Sequence, residues 1–168
     1  MSTHKGSIKE IAKQVRADIK AAKKKGEMHY MTKVSVRIQR YSMGRALLTT
    51  ITELSGPVYN IDWILFKQQH PNDWWTREDV PEKYSLEAWI EKKRIDEIVA
   101  RYNWDKSDAQ TDYYNVNFAY GGCDFDSDLA KSDMDKQLVL HRAMQLPDVE
   151  RYRSATEVPN IRVVEYEP

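Results

Sequence analysis

The stretch KVSVRIQRYSMGRALLTTITEL, residues 33–54, decides the fold. Val34, Val36 and Ile38 alternate with Lys33, Ser35, Arg37 and Gln39, the period-two pattern of a strand with one apolar face and one basic face. Tyr41 to Gly44 reads as a turn. Arg45 to Leu54, rich in Leu, Ile and Thr, reads as the returning strand, and Gly56-Pro57 breaks it.

Upstream, Ser7 and Glu10 form an S-x-x-E capping box that satisfies two orphan backbone donors at a helix start. Ile8, Ile11, Ala12, Val15, Ile19 and Ala22 then follow helical spacing and build an apolar stripe. Lys9, Lys13, Arg16, Lys20 and Lys23 make a second, cationic stripe on the same helix. Lys23, Lys24 and Lys25 complement the negative end of the helix dipole, and Gly26 supplies the stop.

Downstream, Val58 to Gln68 carries two patterns. Tyr59, Ile61, Trp63 and Leu65 alternate as in a strand, whereas Pro57 suits a first helical position; helix is the reading taken. HPNDWWTREDVPEKY, residues 70–84, is a proline-punctuated loop holding Trp74 and Trp75. Ser85 caps the next helix, whose expected core stripe is Leu86, Trp89, Ile90, Ile98, Val99 and Tyr102. In RYNWDKSDAQTDYYNVNFAY, residues 101–120, the period changes from helix to strand. Asn103 tolerates the left-handed conformation at a helix end, and Asp105, Ser107 and Asp108 are turn formers. Trp104 is expected to pack inward, and Tyr114, Val116, Phe118 and Tyr120 to form a half-buried strand that Gly121-Gly122 ends. Ser132 with Asp135 starts a short helix carrying Met134, Leu138 and Val139, stopped by Pro147, and Pro159 precedes a last strand, Ile161 to Tyr166.

The assembled pattern has tight hairpins and no regular strand–helix alternation. It predicts an α+β fold: a small antiparallel or mixed sheet of about four strands with helices packed on one face. With 168 residues and no linker or repeat, one domain over residues 1–168 is expected.

The charge is divided unevenly. Residues 1–45 hold twelve Lys/Arg against Glu10, Asp18 and Glu27, a net +9, and since the whole chain is neutral the remainder carries −9. Such asymmetry serves either a polyanion-binding face or an internal electrostatic match. The one cysteine, Cys123, excludes an internal disulfide and a cysteine-rich zinc site and suits a reducing cytoplasm. No apolar run approaches membrane-span length and the N-terminus lacks a signal-peptide core, so no membrane is expected.

Tyr102-Asn103-Trp104-Asp105-x-Ser107-Asp108, followed by Asp112-Tyr113-Tyr114 and an aromatic strand, resembles large polyvalent-protein-associated domain twenty-nine. Lys33 to Arg37, Arg40-Tyr41-Ser42 and Gly56-Pro57 resemble the first half of that family in the same order, so the likeness spans residues 8–120. The chain departs from the family between Ser42 and Leu54, where a Gly/Ser-rich hairpin is the pattern. It also adds Gln69 to Ser85 and a tail after Gly121. The resemblance implies a phage, plasmid or other mobile-element protein in the cytoplasm of a bacterial host, in a family with no assigned activity.

No phosphate loop, nucleophile elbow, dinucleotide fingerprint or HExxH spacing is present, and no cofactor is implied. Asp105, Asp108 and Asp112 either hold a cation or tighten the turn, and the turn is the reading preferred. Asp124, Asp126 and Asp128 copy the start of a calcium loop, with Leu129 where the sharp turn needs glycine. The basic stripe, backed by Lys33, Arg37, Arg40 and Arg45, has the charge to track a phosphate backbone. Trp74 and Trp75 are candidate interface anchors. Three functions therefore stand. The preferred one is a small non-enzymatic binding protein docking on a host or defence-system protein. The alternatives are a nucleic-acid-binding protein using the basic helix and hairpin, and a metal-dependent enzyme using the aspartate cluster.

Overall fold

A computed structural model describes residues 6–42, 44–104 and 116–146. Helix α1 (Ile8–Lys24) begins with the predicted capping box, Ser7 and Glu10 each bonding the other's backbone amide. Gly26 follows it at φ +76, a left-handed backbone that side chains resist. Strands β1 (Lys33–Tyr41) and β2 (Gly44–Glu53) form the predicted antiparallel hairpin. Its register pairs Val34 with Ile51, Val36 with Thr49 and Ile38 with Leu47, which sets six side chains on one face. The α1 stripe packs on that face, with Ile11, Ala12 and Val15 fully buried.

Helix α2 (Ile61–Gln69) resolves the ambiguity in favour of helix, but Asn60 caps it, not Pro57 at its first position. Helix α3 (Leu86–Ala100) carries the predicted Ser85 cap, with the Ser85 hydroxyl accepting from the Ala88 amide. It completes the core through Ile95, Ile98 and Val99, with Tyr102 just past its end. Strand β3 (Asp124–Phe125) adds to β2 in parallel, so the described sheet is mixed and three-stranded in the order β1-β2-β3. The class is α+β, and the expectation of about four strands is corrected to three among the described residues.

Among the described residues, the aromatic segment before β3 forms isolated bridges and no continuous strand. Val116 and Phe118, two apart, are expected on one face, but Phe118 is buried and Val116 is 41% exposed, and among the described residues only Ala119 bridges to β2, at Ala46. Side-chain bonds from Arg45, Asn103 and Asn117 supplement the two backbone bonds that Ala119 makes to β2. Helix α4 (Ser127–Met144) starts five residues before the expected Ser132, because Asp126 caps it by accepting from the Leu129 amide. The calcium-loop pattern is thus a helix cap and a first turn. Tyr114, the end of the chain with Pro147 and Pro159, and the last predicted strand lie outside the described residues.

Beside the core lies an aromatic layer. Tyr59 stacks on Trp63 and on Tyr84, and Tyr84 reaches Phe125. Helix α4 is clipped to it by Asp133, whose Oδ2 accepts from the Val58 amide at 3.0 Å, and by Gln137, which donates to the Tyr59 carbonyl at 2.9 Å. No helix among the described residues is long and apolar enough to cross a membrane.

Candidate interaction surface

Helix α3 is turned relative to the expected stripe. Its inner face carries Ala88, Glu91, Ile95, Ile98 and Val99, so Leu86, Trp89 and Ile90 point outward, 73%, 47% and 45% exposed. Glu91 occupies the position that an apolar residue would normally fill, and its Oε1 accepts from the His29 amide at 3.1 Å. The consequence is an apolar i, i+3, i+4 stripe on a helix capped at its start and packed along its other side. Lys93 lies over the Trp89 ring at 5.8 Å. Next to the stripe, Asn60, Glu82, Lys83, Tyr84, Leu86 and Trp89 line a cavity of about 670 Å³.

The two predicted anchors have separate fates. Trp74 is half-buried, with Lys67 5.2 Å from its ring centre and 4.9 Å from that of Trp63, so it fastens the loop to α2. Trp75, edge-on to Trp74 in a short 3₁₀ turn, is 63% exposed. No local signal marks Trp89 as outward: the Ser85 cap fixes where α3 starts and not which side packs, and the elements packed on Ile95 and Ile98 set its face.

The basic residues also divide. Lys9, Lys13, Lys20, Arg37 and Arg40 are exposed, and Lys23 is half-buried. Lys33 pairs with Glu53 at 2.8 Å, and Arg16 donates to the Val36 carbonyl at 2.6 Å. Arg45 is structural: its Nε donates to the Asn117 carbonyl at 3.0 Å and its Nη2 to Asn117 Oδ1 at 2.7 Å.

That arginine belongs to a clamp that explains the first half of the family-like motif. Asn103 Nδ2 donates to the Phe118 carbonyl at 3.1 Å, while its Oδ1 accepts from the amides of Trp104 and Phe118. Asn117 answers by donating from Nδ2 to the Tyr102 carbonyl at 2.8 Å. Trp104 is half-buried, and its carbonyl accepts from the Asn117 amide. Tyr102 donates from its hydroxyl to Asp18 on α1; burial and that carboxylate push its pKa up to about 12. Asp105, Ser107, Asp108, Asp112 and Tyr113 lie outside the described residues.

A second polar junction centres on Asp96. Its Oδ1 accepts from the Tyr120 hydroxyl at 2.7 Å and the Cys123 amide at 2.8 Å, and its Oδ2 from Lys92 at 3.0 Å. Thr49 meets the same hydroxyl at 2.8 Å. Burial pushes the Cys123 thiol up to about 12, which keeps it protonated at neutral pH and poor as a nucleophile. Among the described residues no group of three metal-capable side chains comes together. In comparisons with known proteins, no family model matches the chain, and no curated protein or solved structure matches it either.

Proposed function

We propose that the protein is a small non-enzymatic binding protein that docks on a host or defence-system protein through the outer face of α3. The observation that carries this reading is the exposed stripe of Leu86, Trp89 and Ile90 beside a cavity of about 670 Å³. Apolar side chains grouped on a well-anchored helix keep their surface in contact with water, and burying it against a partner is favourable by about 25 cal/mol per Å². Tryptophan is among the residues that most often dominate such a contact. The phage or mobile-element setting rests on the motif resemblance alone.

The test is retention of a host protein by the immobilised chain, compared with Trp89→Ala and with Leu86→Ser/Ile90→Ser. These residues are exposed, so both variants should melt with the wild type, within about 0.5 kcal/mol. A partner kept by the wild type and lost by both variants is the expected result. Equal retention by Trp89→Ala would remove α3 from the reading. Turnover of a nucleotide or nucleic acid by the purified chain, with no protein partner, would replace it.

A further inference from the structure

Among the described residues nothing pairs with β1 on the side away from β2. Which backbone groups face that open edge follows from β2. The Leu47 amide donates to Ala119, and the Ile51 carbonyl accepts from the Asp126 amide, so Leu47 and Ile51 point away from β1. Residues opposite each other in an antiparallel pair either exchange bonds or both face outward. The register Val34–Ile51, Val36–Thr49 and Ile38–Leu47 therefore turns the amides and carbonyls of Val34, Val36 and Ile38 to the open edge. Arg16 corroborates this by donating to the Val36 carbonyl at 2.6 Å.

The cationic stripe of α1 runs beside that edge. Arg16, Lys20 and Lys23 join Ile19, Val34 and Val36 in lining a cavity of about 170 Å³, close to the ~150 Å³ that accommodates a benzene-sized group. No described carboxylate pairs with Lys20 or Lys23. The edge is thus a trough with backbone donors and acceptors on one wall, aliphatic carbon at the bottom and cations on the other wall.

We propose that this trough takes an extended acidic peptide segment of a partner as an added strand. Lys20 and Lys23 pair its carboxylates, and one of its side chains fills the cavity. A peptide backbone answers the amides of Val34, Val36 and Ile38 and the carbonyls of Val34 and Ile38, the Val36 carbonyl being held by Arg16, as in other strand-addition complexes. A phosphate chain offers acceptors only and would set its charge against those carbonyls, and no aromatic ring lines the cavity for a base to stack on. The same lysines discourage a second copy of this basic edge from pairing and attract an acidic strand. The inference does not depend on the α3 stripe.

The probe is a synthetic peptide of alternating glutamate and valine, set against its lysine–valine counterpart, an N-methylated version and a single-stranded oligonucleotide. The acidic peptide should bind and slow hydrogen exchange at Val34, Val36 and Ile38. Lys20→Gln/Lys23→Gln should weaken it by on the order of tenfold, and N-methylation, which removes strand pairing without touching the protein, by at least as much. Equal binding of the N-methylated peptide would overturn strand addition and leave charge alone. Failure of the acidic peptide to bind, or its displacement by the oligonucleotide with no protection of β1, would overturn the proposal. Trp89→Ala should leave peptide binding unchanged, which separates this edge from the α3 surface.

Discussion

Replacing Asn103 tests whether the family-like motif is a structural clamp. Its amide group makes three bonds: Nδ2 to the Phe118 carbonyl, and Oδ1 from the amides of Trp104 and Phe118. The orientation is fixed by this pattern, since a flipped amide would point donors at two donors. Phe118 is only 1% exposed, so water does not replace the lost partners. Asn103→Ala leaves the Phe118 amide and carbonyl unpaired, and at 1–3 kcal/mol for each buried group the cost is about 2–6 kcal/mol. Asn103→Asp keeps the shape and the acceptors but sets a carboxylate oxygen against the Phe118 carbonyl, so it should cost at least as much as alanine. Urea denaturation of the three proteins measures both differences, with an unchanged slope as the sign of two-state unfolding. The clamp reading is refuted if both variants stay within about 0.5 kcal/mol of wild type, the range of an ordinary surface substitution.

The other predictions concern the remaining polar junctions. Asp96→Ala removes the partner of the buried Cys123 amide and should cost about 2–4 kcal/mol, whereas Asp96→Asn retains an acceptor and should cost about 1 kcal/mol in the same urea assay. Arg45→Ala should destabilise by about 1–3 kcal/mol because it strips two bonds from Asn117, while Lys13→Ala, on an exposed position of α1, should change stability by less than about 0.5 kcal/mol. The Cys123 thiol, raised from its ordinary 9.0 to about 12, should react with a thiol reagent at pH 8 roughly a thousandfold slower than in urea. Its protonated form contributes stability that is full below pH 9 and falls, as pH rises towards 12, by about 1.4 kcal/mol per unit in pH-dependent denaturation.

The elements that were legible are those whose signal is local. Helix α1 carries its cap, its apolar period and its glycine stop within twenty residues, and the first arm of the hairpin alternates from Val34 to Ile38. Helix α3 was legible as a helix and misread as a face. Its outer side holds Leu86, Trp89 and Ile90, its inner side holds Ala88 and Glu91, and only the position of its neighbours decides between them. Asp126 falls in a calcium-loop spacing because a capping aspartate and a calcium-loop aspartate share it, and the structure makes it the cap of α4. The clamp between Asn103, Asn117 and Arg45 joins residues fifteen to seventy-two apart in sequence, and such bonds leave no period to read.

The uneven charge distribution gains a meaning from these positions. An internal electrostatic match would show cations of the first forty-five residues paired with acids of the rest. Of the six ion pairs among the described residues, one does this, Lys33 with Glu53; Arg101 with Asp18 runs the opposite way, and four join residues within the acidic remainder. Exposed pairs contribute little in any case, so a single one offsets little of the +9 carried by that segment. Arg16 and Arg45 are held by carbonyl groups and keep their charge, while Lys9, Lys13 and Lys20 stand along one side of α1. The basic segment therefore retains a field directed at solvent, including where Lys20 and Lys23 border the open edge of β1. Repulsion along that stripe is relieved by an acidic partner, and the relief grows as salt is lowered. Binding of an acidic peptide at the β1 edge should therefore weaken with salt, whereas docking on the apolar stripe of α3 should change little.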